Sequence, residues 1–154
     1  MLKQYLWIFL ISMLPIVELR GAIPVGIGMG LPVWSTYLVC IVGNILPVPF
    51  LILFSKTLLN CLSTWPKIGP FFQRFMKKAD EKAQNLGKYE LLGLYLFVAI
   101  PLPGTGAWTG SVIAAILRMR LVKATMAIAA GVLTSGLIML LVSQGFFGFL
   151  RFLF

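Results

Sequence analysis

The chain has 154 residues, of which 60% are hydrophobic and 11% charged, and its mean hydropathy is +0.98. A soluble domain of this length cannot bury that much apolar surface, so the composition predicts a single membrane domain, residues 1–154. The net charge of +9 is typical of Lys and Arg on cytoplasmic segments, so we expect the lipid bilayer as a partner and no nucleic acid. The absence of His and the spacing of the two Cys exclude a zinc site and Cys/His catalysis, and we expect no cofactor.

Two proline-rich segments interrupt apolar stretches that are too short to cross a bilayer, which requires about 20 residues. The first proline segment, residues 15–24, follows the apolar residues 4–14. The second proline segment, residues 101–110, follows the apolar residues 91–100. Proline disrupts a helix, so we predict a break at each segment. Two uncharged stretches are long enough to span the membrane: residues 33–55 and 124–142.

The connector between the halves, residues 56–89, carries seven of the thirteen basic residues. From Pro70 onward its apolar residues recur with helical periodicity, which predicts an interfacial amphipathic helix on an anionic leaflet. The alternative is a surface helix packed on the loops of the helix bundle. The apolar face would comprise Phe72, Phe75, Met76, Ala79, Ala83 and Leu86. The aromatic tail, residues 144–154, is typical of an interfacial anchor.

The distribution of basic residues distinguishes two topologies. If residues 5–30 and 91–117 were complete spans, the connector and the basic residues at 118–123 would lie on opposite sides, against the positive-inside tendency. If residues 1–31 and 91–117 are re-entrant hairpins, the basic segments 56–88 and 118–123 both face the cytoplasm and both chain ends lie outside. We prefer the hairpins. Because irregular backbone at membrane depth must be buried in protein, we expect the two proline segments to meet.

The two halves align at an offset of 88 residues, which pairs Pro15 with Pro103 and Gly43 with Gly131. The predicted fold is an all-α integral membrane protein, an inverted repeat of a re-entrant helical hairpin plus a transmembrane helix. The interfacial amphipathic helix lies between the halves. The domain divides into repeat 1 (1–55), the connector (56–89), repeat 2 (90–143) and the tail (144–154). Transporters built in this way bind substrate at the repeat interface, near the bilayer midplane.

Glu18 is the only acid within a predicted apolar segment. A charge at that depth is costly, so it must face a cavity, find a partner or be neutralised. We predict that Glu18 is a proton-coupling or cation-binding group. The alternative is that it accepts backbone hydrogen bonds and holds the shape of the segment. For Arg20, binding of an anionic substrate group, an ion pair with Glu18 and snorkelling to the surface remain open.

The second proline segment offers free backbone N–H groups, glycines and hydroxyls ahead of a half-helix, an arrangement that favours an anion. Trp108 would stack on a substrate or pack between helices. Asn44 is polar at midspan and would bridge helices or join the cavity. We predict no catalytic and no metal-binding residues. The predicted substrate-binding residues are Arg20, Gly21, Pro24, Asn44, Pro103, Gly104, Thr105, Gly106, Trp108, Thr109 and Ser111.

The paired runs ELRGAIP at 18–24 and PLPGTGAWTG at 101–110 resemble the small multidrug export protein family. That family is similar to the DedA/VTT superfamily, which shares paired re-entrant loops and includes lipid scramblases and polyprenyl-phosphate translocases. By this resemblance, Glu18 would match the acidic residue of the first DedA-type loop. The second such loop typically carries arginine, and residues 101–110 contain none.

We therefore expect a small inner-membrane transporter that exports small molecules or drugs and is coupled to protons through Glu18. One alternative is a DedA-like lipid or polyprenyl-phosphate translocase that holds phosphate with Arg20. Another is a non-transporting membrane scaffold that uses the amphipathic helix for docking. An enzyme is not expected, since no pair of nucleophile and base is visible. Two spans and two hairpins make a thin wall, so a homodimer or a larger oligomer is compatible with the sequence.

Overall fold

The computed structural model describes residues 1–64, 66, 69–71, 73–74, 77–78, 81 and 88–153. Regular structure within these residues is entirely helical, in agreement with the predicted all-α class. The helices with described bounds are α1 (Leu2–Met13), α2 (Glu18–Gly28), α3 (Val33–Ile45), α4 (Val48–Ser63), α5 (Lys88–Ala99), α6 (Ala107–Ile116) and α7 (Leu121–Leu153).

Two stretches of the described chain are long and apolar enough to cross a membrane: Val33–Ser63, which comprises α3 and α4, and Leu121–Phe146 within α7. The first is interrupted between Ile45 and Val48, because Pro47 has no N–H to continue the helical hydrogen bonds. Both stretches extend beyond the predicted spans. α4 passes residue 55 and ends at Ser63, where the approaching Pro66 disfavours helical backbone.

The four short helices form two hairpins. α1, α2, α5 and α6 have 12, 11, 12 and 10 residues. At about 1.5 Å per residue each reaches roughly half of the ~30 Å hydrocarbon thickness. α1 packs on α2 beside Gly26, and α5 packs on α6 beside Gly110. Each hairpin also packs on one of the two long apolar stretches, the first on α3 and the second on α7.

The turns after α2 and α6 have the same hydrogen bonds at an offset of 88 residues. The backbone N–H of Leu31 donates to Gly26 and that of Met119 to Ala114, at 3.1 and 3.0 Å. With the bonds from Gly30 N–H to Ile27 and from Arg118 N–H to Ala115, they form the Schellman type of helix ending, and Gly30 (φ +78°) and Arg118 (φ +49°) occupy its left-handed position. The two long apolar stretches then begin at Val33 and Leu121, again 88 residues apart.

Equivalent glycines also lie where α3 crosses the first hairpin and where α7 crosses the second. A Cβ on Gly43 would lie 2.8 Å from the backbone oxygen of Phe9 in α1. A Cβ on Gly131 would lie 2.9 Å from the backbone oxygen of Tyr95 in α5. Small residues allow helix backbones to approach closely in membrane proteins. The sequence alignment paired these two glycines, and both perform the same packing role.

The two long stretches run antiparallel. Near the start of α3, the Tyr37 hydroxyl donates to the carbonyl of Leu133, deep within α7, at 3.0 Å. In α4, Lys56 Nζ donates to the carbonyl of Met119, just before α7, at 2.6 Å. The end of the first stretch therefore lies beside the start of the second. Lys56 of α4 and the basic residues at 118–123 therefore lie toward the same end of the molecule, which we call the basic end.

The helix breaks are shorter than the sequence predicted. Within the first proline segment only residues 15–17 are non-helical, and Pro24 lies inside α2. Within the second, α6 begins at Ala107, so residues 107–110 are helical. The contact that starts α6 early comes from Glu18 and is described below.

The predicted amphipathic helix lies mostly outside the described residues, including its whole apolar face. Arg74, Lys77, Lys78 and Glu81, on the charged face, are helical and exposed.

Candidate functional site

The two proline segments meet, and a cavity of about 620 Å³ lies between them. We call it the inter-segment cavity. Its volume falls within the range of about 300–1,000 Å³ that is usual for small-molecule sites. The wall is formed by Pro15, Ile16, Val17, Glu18, Arg20, Gly21, Pro101, Pro103, Gly104, Thr105, Thr109 and Met139.

Glu18 combines a nearly buried side chain with an unusual backbone. Its side chain is only 6% exposed. Its φ of +49° lies in the left-handed region, which non-glycine residues rarely adopt and which occurs preferentially at functional sites. The residue begins α2 and directs its carboxylate across to the other half of the chain. There Oε1 accepts a hydrogen bond from the backbone N–H of Trp108 at 3.4 Å.

The Glu18 carboxylate caps the N-terminus of α6. The backbone N–H groups of Ala107 and Trp108, in the first turn of α6, both interact with it. Gly106, the N-cap residue, has no side chain that could cap the helix itself. A carboxylate at this position is stabilised by the positive end of the helix dipole. A Cβ on Gly106 would overlap the carboxylate, so the approach requires glycine.

Arg20 fastens the non-helical part of the second proline segment. Its guanidinium donates to the carbonyl of Leu102, to that of Ile100 at 3.4 Å and to Thr105 Oγ1 at 2.9 Å. Thr105 Oγ1 also lies 2.8 Å from the Ile100 carbonyl. The fork of guanidinium donors suits several acceptors at once. Arg20 therefore binds backbone carbonyls of the loop, a use that the sequence analysis did not anticipate.

Trp108 joins the two halves. Its ring Nε1 donates to the carbonyl of Met13 at 3.0 Å, and Met13 is the last residue of α1. Carbonyls at the end of a helix lack intrahelical partners, so this bond satisfies one of them. Trp108 is not part of the cavity wall. Of the two interpretations of this residue, the contact favours packing between helices.

Comparison with known families matches residues 18–138 to the family described as "Putative small multi-drug export protein". This chain belongs to that family. The match begins at Glu18 and includes the whole second proline segment. No curated protein and no solved structure matches the chain. Family membership and the two long apolar stretches identify a membrane protein of the transporter class rather than an enzyme.

In this member of the export family, the inter-segment cavity contains part of the predicted site. Glu18 and six of the predicted binding residues line it: Arg20, Gly21, Pro103, Gly104, Thr105 and Thr109. Five predicted binding residues are not in its wall: Pro24, Asn44, Gly106, Trp108 and Ser111.

Burial explains why two of these lie elsewhere. Ser111 is fully buried, and its hydroxyl donates to the Ala107 carbonyl within α6 at 2.6 Å. Asn44 is also fully buried, and its amide has no hydrogen-bond partner among the described residues.

Five wall residues were not predicted from the sequence. Pro15, Ile16, Val17 and Pro101 lie in or beside the predicted breaks, but nothing in an apolar or proline residue distinguishes a cavity wall from a packed interface. Met139 lies in α7, far along the chain, and only tertiary packing brings it to the cavity. Proximity to Glu18 along the chain was the available signal for Ile16 and Val17.

Proposed function

We propose that this chain is a proton-coupled transporter in which the inter-segment cavity binds a small-molecule substrate and Glu18 exchanges a proton. One observation carries the proposal. The Glu18 carboxylate lines the cavity and also caps α6 of the other half of the chain. A carboxylate in this position is able to bind a ligand in the cavity, and it also stabilises the contact between the two halves.

The geometry suggests how a proton would be coupled to movement. An ionised Glu18 accepts charge-assisted hydrogen bonds from Ala107 and Trp108 and interacts with the α6 dipole. Protonation removes the negative charge and weakens these interactions. The closed contact between the halves is then less stable, and the equilibrium shifts toward separated halves.

We further propose that the halves are inverted repeats and that α1–α2 and α5–α6 are re-entrant hairpins. The short length of these helices, the equivalent turns at an offset of 88 residues and the antiparallel long stretches support this arrangement. In an inner membrane the basic end would face the cytoplasm, and the inter-segment cavity would lie near the midplane.

The part of the cavity wall around Glu18 suits a lipophilic cation as substrate. Ile16, Val17 and Met139 supply apolar surface, and Glu18 supplies a negative charge. Arg20 directs its donors to the carbonyls of Ile100 and Leu102. The lipid-phosphate alternative would require Arg20 to exchange these carbonyls for phosphate. A cation that competes with the proton for Glu18 requires no such exchange.

Transport by purified protein in liposomes tests the proposal. With a fluorescent lipophilic cation and an imposed pH gradient, Glu18→Gln is expected to lower the transport rate at least tenfold and to remove its pH dependence. The matched control is Glu81→Gln, since Glu81 is an exposed acid outside the cavity. Wild-type rate and pH dependence in Glu18→Gln would refute the coupling role.

A further inference from the structure

A second cavity, of about 270 Å³, lies between α4 and the end of α6. We call it the basic cavity, because its wall contains two cations and an amide side chain. The wall comprises Lys56, Leu59, Asn60, Ala115 and Arg118. None of these residues lines the inter-segment cavity. The basic cavity therefore has no part in the function proposed above.

Lys56 lies in the long apolar stretch, where a cation is costly unless it finds partners. Its Nζ donates to the Met119 carbonyl at 2.6 Å and so holds the turn between α6 and α7. An ammonium group has three donors, so Lys56 can hold this turn and contact a ligand at the same time.

Arg118 occupies a position that glycine would satisfy better. Its φ of +49° lies in the left-handed region, and Gly30 takes the equivalent position in the turn after α2, with φ +78°. The two turns share their hydrogen-bond pattern, so the backbone of this turn forms with glycine as well as with arginine. The Arg118 side chain places a cation in the wall of the basic cavity.

We propose that the basic cavity binds the phosphate group of an anionic lipid. Lys and Arg together bind phosphate through charge-assisted hydrogen bonds, and basic pockets between membrane helices hold anionic headgroups. The volume lies below the range of about 300–1,000 Å³ for drug-sized ligands, which suits a headgroup rather than a whole lipid.

Exposed apolar side chains beside the basic cavity provide a surface for acyl chains. Leu53 is one helical turn before Lys56 on α4 and is 49% exposed. Val112 is one turn before Ala115 on α6 and is 42% exposed. Free phosphate shares the headgroup chemistry but makes no use of these side chains, so the structure favours the lipid.

Native mass spectrometry of the full chain with phosphatidylglycerol or phosphatidylcholine tests the proposal. Arg118→Gly removes the cation and keeps the turn, as Gly30 does in its own turn. It is expected to weaken phosphatidylglycerol binding at least tenfold. The matched control is Lys123→Gln, which removes an exposed cation outside the cavity wall and should change binding less than twofold. Equal binding by Arg118→Gly and wild type, or equal binding of the two lipids by wild type, would overturn the proposal.

Further arms identify the source of the phosphate and keep the test independent of folding. Displacement of the lipid by inorganic phosphate would show that the phosphate ion itself is recognised and would overturn the lipid assignment. Retention of the lipid would support it. If Arg118→Gly does not fold, Arg118→Gln carries the same expectation. Glu18→Gln should bind the lipid like wild type, so failure of the transport proposal leaves this one standing.

Discussion

The Glu18 carboxylate links the two halves of the chain, because it lines the inter-segment cavity and accepts a hydrogen bond from the backbone of Trp108 in α6. An acid within an apolar segment is costly, and that cost alone marked it as a candidate. Backbone hydrogen bonds were one of the two interpretations of Glu18, but the sequence could not show which N–H groups it contacts, because every residue except proline has one. The same limit applies to Arg20, which binds carbonyls of a non-helical loop. For Arg20 the sequence suggested a substrate anion, Glu18 or the membrane surface, and in the structure it bonds to the second proline segment.

At the residue scale, substitution of Gly106 should lower the transport rate as much as substitution of Glu18. Gly106→Ala places a methyl group against the Glu18 carboxylate and separates it from the N-terminus of α6. The carboxylate is the end of a side chain and can turn away, so we expect loss of the cap and a transport rate close to that of Glu18→Gln. The control is Gly93→Ala, where nothing lies within 4 Å of the added Cβ. The contact would be unimportant if Gly106→Ala transported like Gly93→Ala.

At the element scale, the sequence predicted which stretches are helical better than where they end. Hydrophobic length identified the two spans, because it is a local property. The start of α6 was predicted too late, because its cap is Glu18, from the other half of the chain. Pro24 was assigned to a break and lies in α2, since one proline removes only one helical hydrogen bond.

The equivalent helix crossings give a second prediction. Gly43→Ala and Gly131→Ala each bring a methyl group against a backbone oxygen, that of Phe9 or of Tyr95. Both should destabilise the protein by about 1–3 kcal/mol, and to a similar extent, because the crossings are equivalent. Thermal unfolding in detergent measures this. Gly145→Ala, in open space on α7, is the control. A loss at one crossing only would argue against structural equivalence of the halves.

At the scale of the whole molecule, the antiparallel long stretches predict the membrane topology. Cys61, near the end of α4, is exposed and serves as a native probe. In whole cells, a membrane-impermeant maleimide should label neither Cys61 nor a variant with Arg120→Cys until the membrane is permeabilised. Gly30→Cys, in a background with Cys61→Ser, should be labelled at once. Labelling of Cys61 and of Arg120→Cys from opposite sides would contradict the re-entrant hairpins.

Proton release on substrate binding distinguishes coupling through Glu18 from a purely structural role, because a cationic substrate and a proton would compete for the Glu18 carboxylate. Purified protein in weakly buffered detergent solution is mixed with a lipophilic cation while a pH indicator records the change. Wild-type protein should release protons, up to about one per bound cation, and Glu18→Gln should release none while still binding at high cation concentration. Equal proton release by Glu18→Gln, or binding by wild type without release, would contradict the account.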